Sequence, residues 1–190
     1  MQSSVDILHQ FARLLEELGV RYVVVGSFAS SARGKPRATM DADIVAELTR
    51  DHARILAERL AGEYYADEVA IRRAVLDRSM FNAIHLETMF KVDVYVSSSG
   101  GFDEQQLLRR LPEHIKPDST DPVYVATAED TVFAKLVWFQ KGAGVSERQW
   151  SDVLGVLGIQ KGQLDIEYLN QWAASLGISD LLEKAISETT

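Results

Sequence analysis

Asp41 and Asp43 stand two residues apart at the head of an apolar run, DADIVAEL, and a third carboxylate, Asp93, interrupts another, FKVDVYV. A strand has a side-chain period of two, so Asp41 and Asp43 share one face and repel unless a positive charge lies between them. Asp is depleted in strands and a buried carboxylate is costly, so a strand serving only the core is a poor place for this pair. A divalent metal is the chemistry that suits it. The chain has no cysteine, which removes thiolate ligands and leaves oxygen and imidazole. His9, His52, His85 and His114 are scattered without ligand spacing. Three carboxylates on adjacent strands then make a site for a hard cation, and Mg²⁺ prefers a few carboxylates together with water and substrate phosphates.

Upstream of the pair, the β-branched run from Val20 to Val25 stops at Gly26-Ser27. Small, helix-compatible residues follow as far as Gly34, so the Gly-Ser turn opens a short helix whose first N–H groups face an anion. Arg33, Lys35 and Arg37 fall within the next few residues, in a chain whose formal net charge is −8. Such a local basic patch suits a small anion such as a nucleoside triphosphate, with one of the three cations meeting phosphate and the others solvated. An acidic chain is a poor match for extensive duplex DNA, where binding depends on many Lys and Arg contacts to phosphate.

The elements that must position these groups follow from periodicity. Ile7, Leu8, Phe11, Leu14, Leu15 and Leu18 mark a helix over 4–18, capped by Ser3 or Ser4 and stopped by Gly19. Strands are expected at 20–25 and 41–48, a loop at 35–40, and helices from Thr49 or Asp51 to Leu60 and over 67–76. A strand over 79–86 turns at Glu87-Thr88 into a second over 90–96, which sets Phe90, Val92, Val94 and Val96 on one face and Lys91, Asp93 and Tyr95 on the other. Residues 97–101 read as a linker, 103–111 as a helix ended by Pro112, and 122–126 as an edge strand. Thr127 caps a helix to about residue 141 and Ser146 one to about 157, with further helices near 163–175 and 180–187. Trp138, Trp150 and Trp172 are expected to pack these last helices together. The outcome is an α/β core over 1–126 followed by a helical section over 127–190.

In order and spacing these residues resemble the nucleotidyltransferase superfamily with the polymerase-beta-like fold. Its signature is Gly-(Gly or Ser), about a dozen residues, Asp-x-Asp, and a third Asp on a later strand; here it reads Gly26-Ser27, thirteen residues, Asp41-Ala42-Asp43, then Asp93 in KVDVY. The VVGSFAS opening and the AEDTVFAKLVWFQKGAGVSERQWSDVLGVL stretch look like the minimal and abortive-infection-type members found in toxin-antitoxin pairs. The resemblance implies an α+β fold, a mixed twisted sheet flanked by helices. It implies that Gly26 and Ser27 meet the nucleotide phosphates, that Asp41 and Asp43 bind two Mg²⁺ ions (or Mn²⁺), and that Asp93, a further ligand, helps activate the acceptor hydroxyl. Lys135, Arg148 and Asp152 match positions that abortive-infection-type relatives place near the site. Their plain readings are a snorkelling lysine for Lys135 and a surface ion pair for Arg148 and Asp152, which are four residues apart. Ala42 departs from the larger apolar residue usual in the family.

The implied activity moves a nucleoside monophosphate from an NTP such as ATP to a hydroxyl, releasing pyrophosphate. The acceptor is open among a protein side chain, tRNA and a small molecule, and a helical partner protein is a further expectation. The alternative is a catalytically silent member acting as a binding or regulatory module. Absence of cysteine, of a signal-like N-terminus and of any apolar run of about 18 residues gives a cytoplasmic protein with no membrane span as the expectation.

Overall fold

A computed structural model describes residues 2–98, 100–116 and 119–189; Ser99, in the expected linker, lies outside them. The chain divides into two compact units, Met1–Val24 with Thr39–Val125, and Val25–Ala38 with Ala126–Thr190.

The first unit is built on a mixed sheet. In chain order it contains α1 (Ser4–Glu17), β1 (Tyr22–Val25), β2 (Asp41–Ala46), α3 (Arg50–Leu60), β3 (Tyr64–Tyr65), α4 (Glu68–Asp77), β4 (Met80–His85), β5 (Lys91–Val96), α5 (Phe102–Arg109), β6 (Leu111–Glu113) and β7 (Val123–Val125), with α2 (Gly26–Arg33) following β1 directly. Strand order is β3-β4-β5-β2-β1-β7-β6. β2 runs parallel to β5 and β1 parallel to β7, whereas β3–β4, β4–β5 and β6–β7 are antiparallel. Ala42, Ile44, Ala46, Phe81, Ala83, Val92, Val94 and Val96 all lie in the core. Residues two apart on a strand share a face, so this alternation leaves Asp41, Asp43, Lys91, Asp93 and Tyr95 together on the opposite face. α1 buries Ile7, Leu8, Phe11, Ala12 and Leu15, the helical spacing seen in the sequence.

Three strand assignments differ from expectation. β7 is an interior strand, between β1 and β6, where an edge was expected. The edge is β6, which includes Pro112, the residue expected only to end a helix; an edge strand tolerates proline because one side of it needs no backbone donor. β3 is two residues long, too short for any period to reveal.

The second unit contains α2, α6 (Ala128–Lys141), α7 (Glu147–Ile159), α8 (Ile166–Leu176) and α9 (Ser179–Glu188). Thr127 and Ser146 cap α6 and α7 as expected, accepting from the backbone N–H of Asp130 and Gln149. Phe133 and Leu136 of α6, Val153 and Val156 of α7, and Leu169 of α8 form the core. Trp150 and Trp172 do pack, against Phe139 at 5.1 Å and Tyr168 at 6.2 Å between centroids, but Trp138 is largely exposed. Gly34 is where α2 meets α7: a Cβ there would lie 2.9 Å from Ser30 O and from Val156 N.

Candidate active site

Parallel pairing of β2 and β5 sets Asp41 opposite Lys91 and Asp43 opposite Asp93. The three carboxylates therefore share one face on neighbouring strands whose axes are about 4.8 Å apart. Asp93 is buried and its two oxygens are both engaged: Asn82 Nδ2 donates to Oδ1 and Lys91 Nζ lies 2.6 Å from Oδ2. Asn82 reaches it because β4 pairs Asn82 directly with Asp93. Asp41 Oδ1 accepts from the Thr39 hydroxyl at 2.9 Å. The hydrogen bond to Asp93 holds the Lys91 pKa above its ordinary value against partial burial, with the negative charges of Asp93, Asp41 and Asp43 adding to it. Burial, and then the charges of Asp43, Asp93 and Asp41, push the Tyr95 phenol up to about 12.

An oxygen-only donor set on one sheet face fits a hard divalent cation. Among the described residues no three acidic or histidine side chains converge closely enough to hold a metal as they stand. Thr39, Lys91 and Asn82 each engage one carboxylate oxygen of the set. The residues fit Mg²⁺ by the chemistry of their donors and by the face they share.

The second unit holds a separate ionic cluster. Asp152, on α7, accepts Arg37 Nε on Oδ1 at 2.9 Å and Arg37 Nη2 on Oδ2 at 2.8 Å. Lys135 Nζ, from α6, joins Oδ2 at 2.8 Å. Arg37 Nη2 also donates to Ser27 Oγ at 2.6 Å. The Lys135 and Asp152 side chains are 6% and 7% exposed, so this is a buried pair and not a surface one. Burial alone would raise the Asp152 carboxyl; the hydrogen bonds from Arg37 and Lys135 outweigh it and hold the pKa at about 2. A fork-to-fork Arg–carboxylate contact fixes orientation as well as charge.

Each residue singled out in the sequence now has a place. Gly26 has φ +62°, a left-handed conformation that a side chain would strain. Ser27 is the second residue of α2, the helix that Gly26 opens, where N–H groups lack intrahelical acceptors. Arg33 Nε donates to the Ala126 carbonyl at 2.9 Å, Arg37 is held by Asp152, and Lys35 is exposed. Lys135 is buried against Asp152 and does not snorkel. Arg148 is exposed, while Asp152 binds Arg37 and Lys135. Neither Lys91 nor Asn82 was singled out in the sequence as a partner of Asp93. Lys91 was visible in the strand alternation beside Asp93, whereas the Asn82 contact follows only from the β4–β5 register.

No family model matches the chain, and no curated protein matches it. Solved structures do. The crystal structure of ANT(2'')-Ia in complex with adenylyl-2''-tobramycin aligns with a TM-score of 0.60 at 14% identity, covering 92% of this chain and 97% of that one. An antigenic nucleotidyltransferase-like protein from Paracoccidioides brasiliensis aligns at 0.55 and 12%, covering 96% and 91%. The lincosamide antibiotic adenylyltransferase LnuA, bound to lincomycin, aligns at 0.50 and 13%, covering 80% and 95%. With its mixed sheet and flanking helices, the chain has the fold of the nucleotidyltransferases.

Proposed function

We propose that this protein is a Mg²⁺-dependent nucleotidyltransferase that moves a nucleoside monophosphate from an NTP, with ATP the first candidate, to an acceptor hydroxyl and releases pyrophosphate. The observation that carries the reading is the register of β2 on β5, which sets Asp43 beside Asp93 with Asp41 on the same face, in a fold shared with adenylyltransferases. Asp41 and Asp43 are the metal ligands, and Asp93 takes the proton of the acceptor hydroxyl or orients it. Gly26 and Ser27, at the start of α2, offer backbone N–H groups to phosphate. Lys135 adds positive charge for the triphosphate once Asp152 shares it, and Lys35 is the exposed member of the basic segment. When bound, Mg²⁺ would offset triphosphate charge and lower the pKa of the attacking hydroxyl.

The acceptor we favour is a small molecule. Two of the similar proteins were solved with lincomycin and with adenylyl-tobramycin, and a net charge of −8 favours a cationic or neutral acceptor over a polyphosphate such as tRNA. A protein side chain, with the chain acting in a toxin-antitoxin pair beside a helical partner, is the second choice. Cytoplasmic location belongs to the same proposal; no helix among the described residues is long and apolar enough to cross a membrane.

One observation favours a silent, ligand-binding member instead: Asp41, Asp93 and Lys135 are each engaged by another side chain of this chain. Incubation with α-labelled ATP, Mg²⁺ and tobramycin, lincomycin, tRNA or cell extract separates the two. The enzyme reading expects label on one of these acceptors and none with Asp41→Asn/Asp43→Asn. Metal-dependent ATP binding with no label on any of them would favour the silent module.

A further inference from the structure

On the sheet face of the first unit that bears the three carboxylates, Lys91 is a cation set among them. It lies opposite Asp41 in register and two residues before Asp93 on the same strand, and its ammonium sits 2.6 Å from Asp93 Oδ2. The three carboxylates and the Lys91 ammonium together sum to −2, which one divalent ion would cancel. Asp93 is held from two sides, by Lys91 on one oxygen and by Asn82 on the other. A partner on each oxygen fixes the orientation of the Asp93 carboxylate.

We infer that Lys91 is the resident cation of this face, giving way at Asp93 Oδ2 when a divalent metal binds, and that Asn82 is the positioning residue that keeps Asp93 aimed while it does so. This rests on the reading of Asp41, Asp43 and Asp93 as metal ligands. Without metal, Lys91 offsets part of the like charge on this face, at the cost of competing with metal for Asp93. Asn82 carries no charge and does not compete. Its amide fixes the carboxylate plane, as partners of metal ligands generally do.

The test is titration of Mn²⁺, without nucleotide, into wild type, Lys91→Met, Lys91→Arg and Asn82→Ala, followed by calorimetry and by melting temperature. Lys91→Met is expected to bind Mn²⁺ about tenfold or more tightly, because one nearby positive charge is gone. Its metal-free form is expected to melt below wild type, and Mn²⁺ to raise its melting temperature by more than it raises that of wild type. Lys91→Arg keeps the charge and stays near wild-type affinity. Asn82→Ala is expected to lose about tenfold or more in Mn²⁺ affinity. If Lys91→Met fails to fold without metal, Lys91→Gln, which keeps a donor towards Asp93 but no charge, takes its place.

Equal or weaker Mn²⁺ binding by the neutral Lys91 variants overturns the role of Lys91, and unchanged binding by Asn82→Ala overturns that of Asn82. In both cases Mn²⁺ binding by wild type that is lost in Asp41→Asn/Asp43→Asn leaves the metal site standing. If none of the proteins binds Mn²⁺, the metal site and this inference fail together.

Discussion

Replacing Asp152 with alanine removes the acceptor shared by Arg37 and Lys135, and the cost follows from the geometry. A carboxyl held at about 2 against an ordinary 3.8 corresponds to about 2 kcal/mol favouring its ionised form at neutral pH. Removing it also leaves the Lys135 ammonium, whose side chain is 6% exposed, without its partner, and breaking a buried pair costs about 3–5 kcal/mol. Arg37, whose side chain is 24% exposed, can turn to water, so we expect a loss of about 3 kcal/mol. Urea unfolding of wild type and Asp152→Ala measures it. Adding Lys135→Met to Asp152→Ala should restore part of the loss, because the stranded charge is gone. A loss under about 1 kcal/mol, the level of an exposed pair, with no recovery in the double variant, would refute the cluster as described.

Other outcomes follow from the same structure. Because the folded-state pKa of Asp152 lies below its ordinary value, its stabilisation is complete above pH 3.8 and is lost as pH falls through about 2; the stability gap between wild type and Asp152→Asn should close over that interval, as pH-resolved urea unfolding would show. Gly34→Ala places a methyl group 2.9 Å from two backbone atoms and should cost about 1–3 kcal/mol, read as a lowered urea midpoint. Gly26→Ala forces a side chain onto φ +62° at about 1–2 kcal/mol, and a midpoint equal to wild type would contradict the backbone described for that turn. Phe133→Ala empties a fully buried site and should cost about 3–5 kcal/mol in the same assay.

The carboxylate face was legible in the sequence because its information is local. Asp41 and Asp43 are two apart, and Lys91, Asp93 and Tyr95 alternate with valines, so strand period alone sorted them onto one face. Capping residues Thr127 and Ser146 were read where each helical pattern begins. The pairing of β2 with β5, which sets Asp43 beside Asp93, is a contact between strands fifty residues apart, and no local pattern specifies it; the resemblance to a known signature supplied the expectation. The Arg37–Asp152 contact was invisible for the same reason. It assigns an arginine read as a phosphate ligand to a carboxylate read as a surface partner of Arg148. β3, with two residues, and β6, with its proline, fall below what periodicity can detect, and β7 could be recognised as a strand but not placed inside the sheet.

Asp41 and Asp43, as proposed, make a metal-triphosphate site. Calorimetric titration of ATP into wild type and Asp41→Asn/Asp43→Asn, each with and without Mg²⁺, tests it most directly. Mg²⁺-dependent ATP binding by wild type that disappears in the double variant is the expected result. Equal ATP binding by the two proteins in the presence of Mg²⁺ would contradict it.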